Sequence, residues 1–567
     1  MDTPSTGPFD LTSQRLGALP VVSHFLARTG LPALLERYLP AVDARVRLAP
    51  AAAVGLVVTN LILGREPLYA LGEWAGRFVP DLLGLAPGEV GVLNDDRVGR
   101  ALEQLFDADR ASLLTELMLG VIAEFDIDTS ELHNDSTSIS VSGVYRAATG
   151  TPRGGKPTPQ ITFGHSKDHR PDLKQLVWIL TVAADGAVPI AYRLADGNTN
   201  DDPTHVPTWN GLVSLLGRTD FLYVADCKLA STTAMGHIAA AGGRFVTVLP
   251  RSRAEDSWFR DWIQTHQPDW TPALRLPPAR LQEPDRVYST FCAPLPTAEG
   301  YRVIWVHNSD KALRDAAARA ARVEAGAAAI DAIATKLAGP KCRLKTRVAV
   351  EEAAAAALDR AGASRWINAT ITETVEETYR QEHRGRPGAN TRYRRHTRTR
   401  FSISSDIAPD RVAYDAASDG CFPLVSNDRE LSDAEVLTAY RYQPNLERRH
   451  HLLKSVHAAA PVLLHNPARI EALFCCQFLA LLIGALIERQ IRTAMAATHA
   501  ADIPLYPEFR GCASPSAERV LEIFADLTRH QLRRHDQLVQ TFQPELSPLQ
   551  LQVLQLLGVP TTTYTNA

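Results

Sequence analysis

The chain has 567 residues, 45% of them hydrophobic and 22% charged, a composition that builds packed cores and excludes a disordered chain. The length corresponds to roughly three to four domains. A net charge of −3 excludes a uniformly basic protein but leaves room for local basic patches, and seven cysteines without a Cys-x-x-Cys pair exclude a zinc ribbon or a disulfide framework.

Residues 1–10 carry neither a basic nor an apolar region of the signal-peptide kind, so none is expected. From about residue 15 to 130 the chain reads as helices, with Val21, Val22, Phe25, Leu26, Leu31, Leu34 and Leu35 recurring at helical spacing. Residues 47–63 are apolar and alanine-rich. Asn94-Asp95-Asp96 offers a cap for a helix through Val98, Leu102, Leu105 and Phe106, and 111–125 continues the pattern. A helical packing domain and a DNA-end-binding domain fit these residues equally.

The texture changes near Glu131. Residues 132–141, rich in Ser, Ile and Val and containing Asp135, read as a strand. Residues 151–157 are a loop. Strands at 175–183 and 187–194 are joined by Asp185-Gly186, a hairpin signal. A helix at 203–216, a short strand at 221–225 ending on Asp226, a helix at 231–241 and a strand at 244–249 follow. This order is that of a ribonuclease-H-like mixed sheet, in which the helix-linked strand returns beside the first.

Residues 256–430 interrupt the pattern. They open with Trp258, Trp262 and Trp270, and continue with alanine-rich helices at 311–337 and 348–360. From Arg380 to Arg400 there are eight arginines and one acid, Glu382, a charge that cannot be neutralised within the segment. Strands are expected at 401–407 and 421–425. Helices are expected to run from 432 to about 540, including a buried core helix at 472–487, whose 16 residues, interrupted by Gln477, fall short of the ~20 a membrane span needs. A helix at 546–557 and a frayed Thr-rich end close the chain. The expected divisions are 1–130 (helical), 131–255 (first part of the core), 256–430 (insertion), 431–540 (second part of the core) and 541–567 (C-terminal helix and tail).

Three carboxylates stand out by placement. Asp135 lies in the first strand and Asp226 ends the fourth, its neighbour in such a sheet. Glu447 lies on a helix beginning near Pro444. Singly, each has an ordinary reading: a turn residue, an exposed strand residue, a dipole-complementing acid. Together they would repel unless cations neutralised them, and hard oxygen donors suit two Mg²⁺ ions, which clamp a phosphorus centre for in-line displacement. Tyr440, Glu447 and Lys454 are spaced seven apart, so a continuous helix would align them, although Pro444 points to a helix start between them.

At these residues the chain resembles the DDE transposases of bacterial insertion sequences, in the branch with a Tyr–Arg–Glu–Lys signature. Tyr440, Glu447 and Lys454 match the spacing, and Gln443 stands at the Arg position, offering a neutral hydrogen bond in place of an ionic contact to phosphate. The resemblance extends to Asn134-Asp135-Ser136-Thr137-Ser138, Val224-Ala225-Asp226-Cys227, Gly164-His165-Ser166-Lys167-Asp168, Arg170-Pro171-Asp172-Leu173-Lys174-Gln175 and Asp196-Gly197-Asn198-Thr199-Asn200-Asp201. It implies an α/β fold, a ribonuclease-H-like mixed sheet split by a large insertion, with an N-terminal helical domain.

The resemblance also implies a transposase that binds terminal inverted repeats, frees 3′-hydroxyls and joins them to target DNA. Asp135, Asp226 and Glu447 would be both catalytic and metal-binding, with two Mg²⁺ and Mn²⁺ able to substitute. Double-stranded DNA, from element ends and target, is the expected partner of a homodimer, with no membrane association and a cytoplasmic, nucleoid-associated location. Tyr440, Gln443, Lys454, Lys167, Arg170, Lys174, Arg448, Arg392, Arg394 and Arg395 are the expected DNA-binding residues. A hydrolytic nuclease without strand transfer and an inactive element-derived DNA-binding protein are the competing expectations.

Overall fold

The computed structural model describes residues 9–40, 47–85, 88–278, 284–339, 341–457, 464–535 and 537–565. Residues 1–8 of the segment read for a signal peptide lie outside them. The chain forms two compact units, Met1–Thr247 with Thr438–Ala567, and Val248–Leu437.

The first unit opens with a strand, β1 (Asp10–Arg15), and then α1 (Leu19–Arg28), α2 (Leu31–Tyr38), α3 (Pro50–Leu63), α4 (Leu71–Ala75), α5 (Asp95–Asp107) and α6 (Arg110–Phe125). The caps are local chemistry: the Asn94 side chain accepts from the Arg97 amide and Asp109 from the Ser112 amide, each satisfying a free N–H at a helix start. There follow β2 (Glu131–Val141), β3 (Lys174–Ala183), β4 (Pro189–Ala195), α7 (His205–Leu216), β5 (Leu222–Ala225), α8 (Thr232–Ala240) and β6 (Arg244–Val248). The strands lie in the order β4-β3-β2-β5-β6. β2–β3 and β3–β4 are antiparallel, whereas β2–β5 and β5–β6 are parallel, which makes a mixed α/β sheet. Gly186 turns between β3 and β4 at φ +74, where a Cβ would lie 2.9 Å from the Arg489 side chain.

The second unit carries α9 (Ala254–Trp262), β7 (Thr271–Leu276), β8 (Arg286–Cys292), β9 (Arg302–Asn308), α10 (Ser309–Ala338), α11 (Arg347–Ala361), β10 (Ile367–Gln381), β11 (Tyr393–Ile407), α12 (Pro409–Ala416) and β12 (Cys421–Ser426). β12, β9, β8 and β7 form antiparallel neighbours in that order. β10 and β11 pair separately as one antiparallel ribbon, rooted by Ile367 and Ile403 in a core with Ile330, Val350 and Leu358. The basic stretch expected to lack local counter-charge therefore sits in a ribbon whose other strand supplies acids. Arg400 meets Glu376 at 2.5 Å and Arg395 meets Glu377 at 2.5 Å. Strand pairing brings in acids outside the 380–400 window.

The chain returns through α13 (Asp433–Tyr440), α14 (Gln443–His451), a π-helical turn (Leu452–Val456), α15 (Pro467–Ala497), α16 (Ala517–Glu522), β13 (Thr528–Arg534), β14 (Gln537–Phe542), α17 (Pro548–Leu557) and α18 (Thr562–Thr565). α15 is long and apolar enough to cross a membrane by length and composition, and 83% of its most apolar window is buried within the protein. The expectation of helix from 432 to 540 fails at β13 and β14, which join β1 in a three-stranded sheet; residues 458–463 and 536 of that range lie outside the description. β13 carries one apolar side chain in seven, Leu532, so no apolar period marks it as a strand. The expected frayed end is also corrected: Tyr564 is fully buried and its hydroxyl donates to the Gly17 carbonyl at 3.0 Å.

Candidate active site

Asp135 and Asp226 lie side by side on two neighbouring interior strands of the first unit's sheet, β2 and β5. The last parallel pair of β2 and β5 is Asn134 with Ala225, so the next residue on each strand is a carboxylate. The Asp135 carboxylate accepts from the Ser136 amide at 2.7 Å, and Asp226 accepts from the Lys228 amide at 3.0 Å. The Thr247 hydroxyl donates to the Asp226 carbonyl and ties that corner to β6.

Glu447 arrives on α14, which packs over β2 and β3. Leu446, Arg449 and His450 form the buried side of this helix while Glu447 stays exposed beside them. Two contacts set the helix. Tyr442 packs against the His133 ring of β2, with centroids 4.8 Å apart and the rings tilted by 35°. Arg449 donates to the Ala187 and Gly186 carbonyls of the β3–β4 turn, each at 3.0 Å, and meets Glu488 of α15 at 2.9 Å. Tyr440 ends α13 and is not part of one continuous helix with Glu447. Burial, and after it the charges of Asp226, Glu447 and Asp135, hold its hydroxyl well above the usual phenol range.

Two glycines bring in further groups. A Cβ on Gly164 would stand 1.9 Å from the Gly197 carbonyl oxygen, and one on Gly197 would stand 2.0 Å from the Gln175 carbonyl oxygen. The segments 164–168 and 196–201 can cross only where both lack side chains. The buried Gln175 amide donates to the carbonyls of Gly197 and His165 and holds the crossing. The crossing places Lys167 against Asp201: the ammonium lies 3.0 Å from Asp201 and 3.7 Å from Asp135, and donates to the carbonyl and hydroxyl of Ser136, each at 2.7 Å. The Ser136 hydroxyl donates to the other Asp201 oxygen at 2.5 Å. Burial works against the charge of Lys167, but Asp135, Asp201 and Asp226 outweigh it and hold the ammonium above its ordinary range.

Burial pushes Asp135 up to about 6; Lys167 pulls it down and the charges of Asp226 and Asp201 push it further up. The side chain still shows 23% of its surface to solvent. His450 lies with Nε2 3.7 Å from the Asp135 carboxylate, and neither ring nitrogen makes a hydrogen bond. Burial, with Lys167 and Lys454 nearby, pushes His450 down to about 3, so the imidazole is neutral and the contact is not an ion pair. Among the described residues, no three His, Cys, Asp or Glu side chains already stand as a set able to hold a metal ion.

The other expected DNA-binding residues are dispersed. Lys454 meets Asp168 at 2.7 Å, Arg170 makes a two-pronged pair with Asp172, and Lys174 donates to the Val144 carbonyl. Arg448 is 42% exposed and lies 3.6 Å from Glu488. The Gln443 amide nitrogen is buried without a hydrogen bond. Arg392, Arg394 and Arg395 belong to the second unit's ribbon. Asp201, Ser136 and His450 were not on the expected list. Ser136 and Asp201 lie within quoted motifs, but neither motif names the role, because their meeting depends on contacts between distant segments.

Residues 11–119 match a family described as a domain of unknown function, DUF4277. No curated protein matches the chain. Among solved structures, the chain is similar to a piggyBac transposase synaptic complex with hairpin DNA, at 11% identity and a TM-score of 0.26. The likeness covers 51% of this chain and 62% of that one, so the chain spans less than two thirds of that neighbour.

Proposed function

We propose that this chain is a DDE-type DNA transposase of a bacterial insertion sequence, cutting at terminal inverted repeats to free 3′-hydroxyls and joining these to target DNA. The observation that carries the reading is the placement of Asp135 and Asp226 directly after the last parallel pair of β2 and β5, with α14, the helix that carries Glu447, packed over β2. The strand order β4-β3-β2-β5-β6 supports it, as the order of a ribonuclease-H-like core.

The donor chemistry fits Mg²⁺: hard carboxylate oxygens, crowded enough that Asp226 and Asp201 raise the proton affinity of Asp135. Asp135, Asp226 and Glu447 would hold two such ions, or Mn²⁺ in their place, which when bound supply Lewis-acid activation of a nucleophile and stabilisation of the leaving oxygen at phosphorus. The chain's own residues do the positioning. Arg449 fixes α14, and with it Glu447, against the β3–β4 turn. His450, held neutral, fills the space beside Asp135 without adding charge. Lys454, paired with Asp168 at 2.7 Å, places a cation on the segment after Glu447, where a phosphate backbone would run. Joining two element ends calls for two copies of the chain on DNA, in the cytoplasm at the nucleoid.

The test uses the full chain, Mg²⁺ and DNA carrying the sequences that flank its own gene. Wild type is expected to nick at the element boundaries and to join the freed ends to a target plasmid. Asp135→Asn and Glu447→Gln are expected to bind the same DNA and to cut nothing. Normal cutting by either variant overturns the reading, and cutting without any joined product replaces it with a hydrolytic nuclease.

A further inference from the structure

The ribbon of the second unit has two chemically different faces. Side chains alternate along a strand, and cross-strand partners share a face. One face therefore collects Thr374 with Arg400, Glu376 with Arg398, Thr378 with His396, and Arg380 with Arg394. The other collects Val375 with Thr399, Glu377 with Thr397, Tyr379 with Arg395, and Gln381 with Tyr393. The first face holds four arginines, a histidine and one acid, and that acid is taken by Arg400. Among the described residues no ion pair engages Arg380, Arg394 or Arg398. On the second face Glu377 pairs with Arg395, and Val375, Tyr379 and Tyr393 are exposed at 58%, 61% and 51%.

Two features of the basic face ask for an anionic partner. Arg380 and Arg394 stand directly opposite one another, a pairing of like charges that weakens a ribbon. The ribbon's core contacts also end at its root, near Ile367, Ile371, Phe401 and Ile403, so this charge lies on a protruding two-stranded element.

We infer that the ribbon docks on duplex DNA through the face of Arg380, Arg394 and Arg398, with Arg395 facing away. The B-form major groove admits a two-stranded ribbon, whereas the A-form major groove of RNA is too deep and narrow for side chains to read. The inference rests on the transposase reading only for the choice of DNA as partner.

The test is binding of the full chain to a random-sequence DNA duplex, without divalent cations, followed by anisotropy across a KCl series. Each lost phosphate contact lowers the slope of log K against log salt by about 0.9. Arg394→Gln is expected to lower it by that amount, and Arg380→Gln/Arg394→Gln/Arg398→Gln together by about 2.7. Arg395→Gln, one residue away on the other face and paired there with Glu377, is expected to leave it unchanged, against the expectation from sequence that Arg395 binds DNA. Equal shifts from Arg394→Gln and Arg395→Gln, or no shift from the triple variant, overturn the inference. So does an RNA duplex bound as tightly and with the same dependence on the three arginines. Metal-dependent cutting plays no part in this measurement: a chain that gives these slopes but never cuts loses the transposase reading alone, and one that cuts with insensitive slopes loses this inference alone.

Discussion

Lys167 holds its ammonium 3.0 Å from the carboxylate of Asp201, a residue 34 positions further along the chain. The same ammonium is 3.7 Å from Asp135, so a resident cation sits among the acids of the candidate site. Lys167→Met removes that charge and leaves Asp135, Asp201 and Asp226 to repel one another. A third of the side chain (34%) is exposed, so water screens part of the effect, and the expected loss of stability near pH 7.5 is about 1 kcal/mol. Millimolar Mn²⁺ is expected to raise the melting temperature of the variant more than that of wild type, since the added cation replaces the missing one. Thermal melts with and without Mn²⁺ check this, and equal shifts in the two proteins count against it.

Asp135 carries a pH signature. Its folded-state value of about 6, set first by burial, lies above the ordinary ~3.9 of an unfolded chain. The folded protein therefore keeps the proton to higher pH, and ionisation is a penalty that is absent below about pH 4, grows between 4 and 6, and is complete above 6. Two pH units correspond to at most about 3 kcal/mol, less what the solvent-facing part of the side chain recovers. Asp135→Asn is expected to be more stable than wild type by about 1–2 kcal/mol at pH 7.5, with the gap closing toward pH 4. Urea midpoints over that range test it; a gap that stays constant, or that opens as pH falls, rejects the assignment.

Gly197 offers a prediction with an internal control. A methyl group there would overlap the backbone carbonyls of Gln175 and Thr162, at 2.0 and 2.6 Å. Neither can swing aside, so the crossing must open and the Lys167–Asp201 pair must separate. Gly197→Ala is expected to cost about 2–4 kcal/mol. Gly211, within α7, has nothing within 4 Å of its added Cβ, so Gly211→Ala is expected to stabilise by about 0.5–1 kcal/mol. Chemical denaturation of both variants checks the contrast, and similar values for the two would contradict it.

Where a local rule decided the structure, the sequence was readable. Asp185-Gly186 marks the β3–β4 turn, and Asn94 and Ser231 cap α5 and α8. Alternating and continuous apolar runs mark β2 to β6, which is enough to put Asp135 and Asp226 side by side. What could not be read comes from distant partners. The ribbon's strands are mostly polar over residues 373–399, with only Val375, Tyr379 and Tyr393 as large apolar or aromatic side chains, all exposed, and the acids that meet its arginines lie outside the basic run. β13 is a strand because β1 pairs with it from more than 500 residues away. Lys167 and Asp201 meet only because Gly164 and Gly197 let two loops cross, and a glycine in a loop does not name what passes over it.

The seat of α14 supplies the last prediction. Arg449 and Glu488 are 3% and 2% exposed, with Nη1 2.9 Å from the carboxylate, and the guanidinium also satisfies the Gly186 and Ala187 carbonyls. Arg492 and Arg448 lie 3.5 and 3.6 Å from the same carboxylate but are partly exposed. Burial resists the charge on Glu488, and Arg449, first among the three arginines, holds its carboxyl below the usual range. Arg449→Met therefore strands a buried carboxylate and two backbone carbonyls, and is expected to cost about 3–5 kcal/mol. Adding Glu488→Gln removes the stranded charge and is expected to restore part of that loss. The DNA reading separates position from stability: at a temperature where the double variant is folded, it should still bind duplex while cutting slowly, because Glu447 rides on a helix no longer pinned to the β3–β4 turn. A folded double variant that cuts at the wild-type rate would show that α14 finds its seat without Arg449.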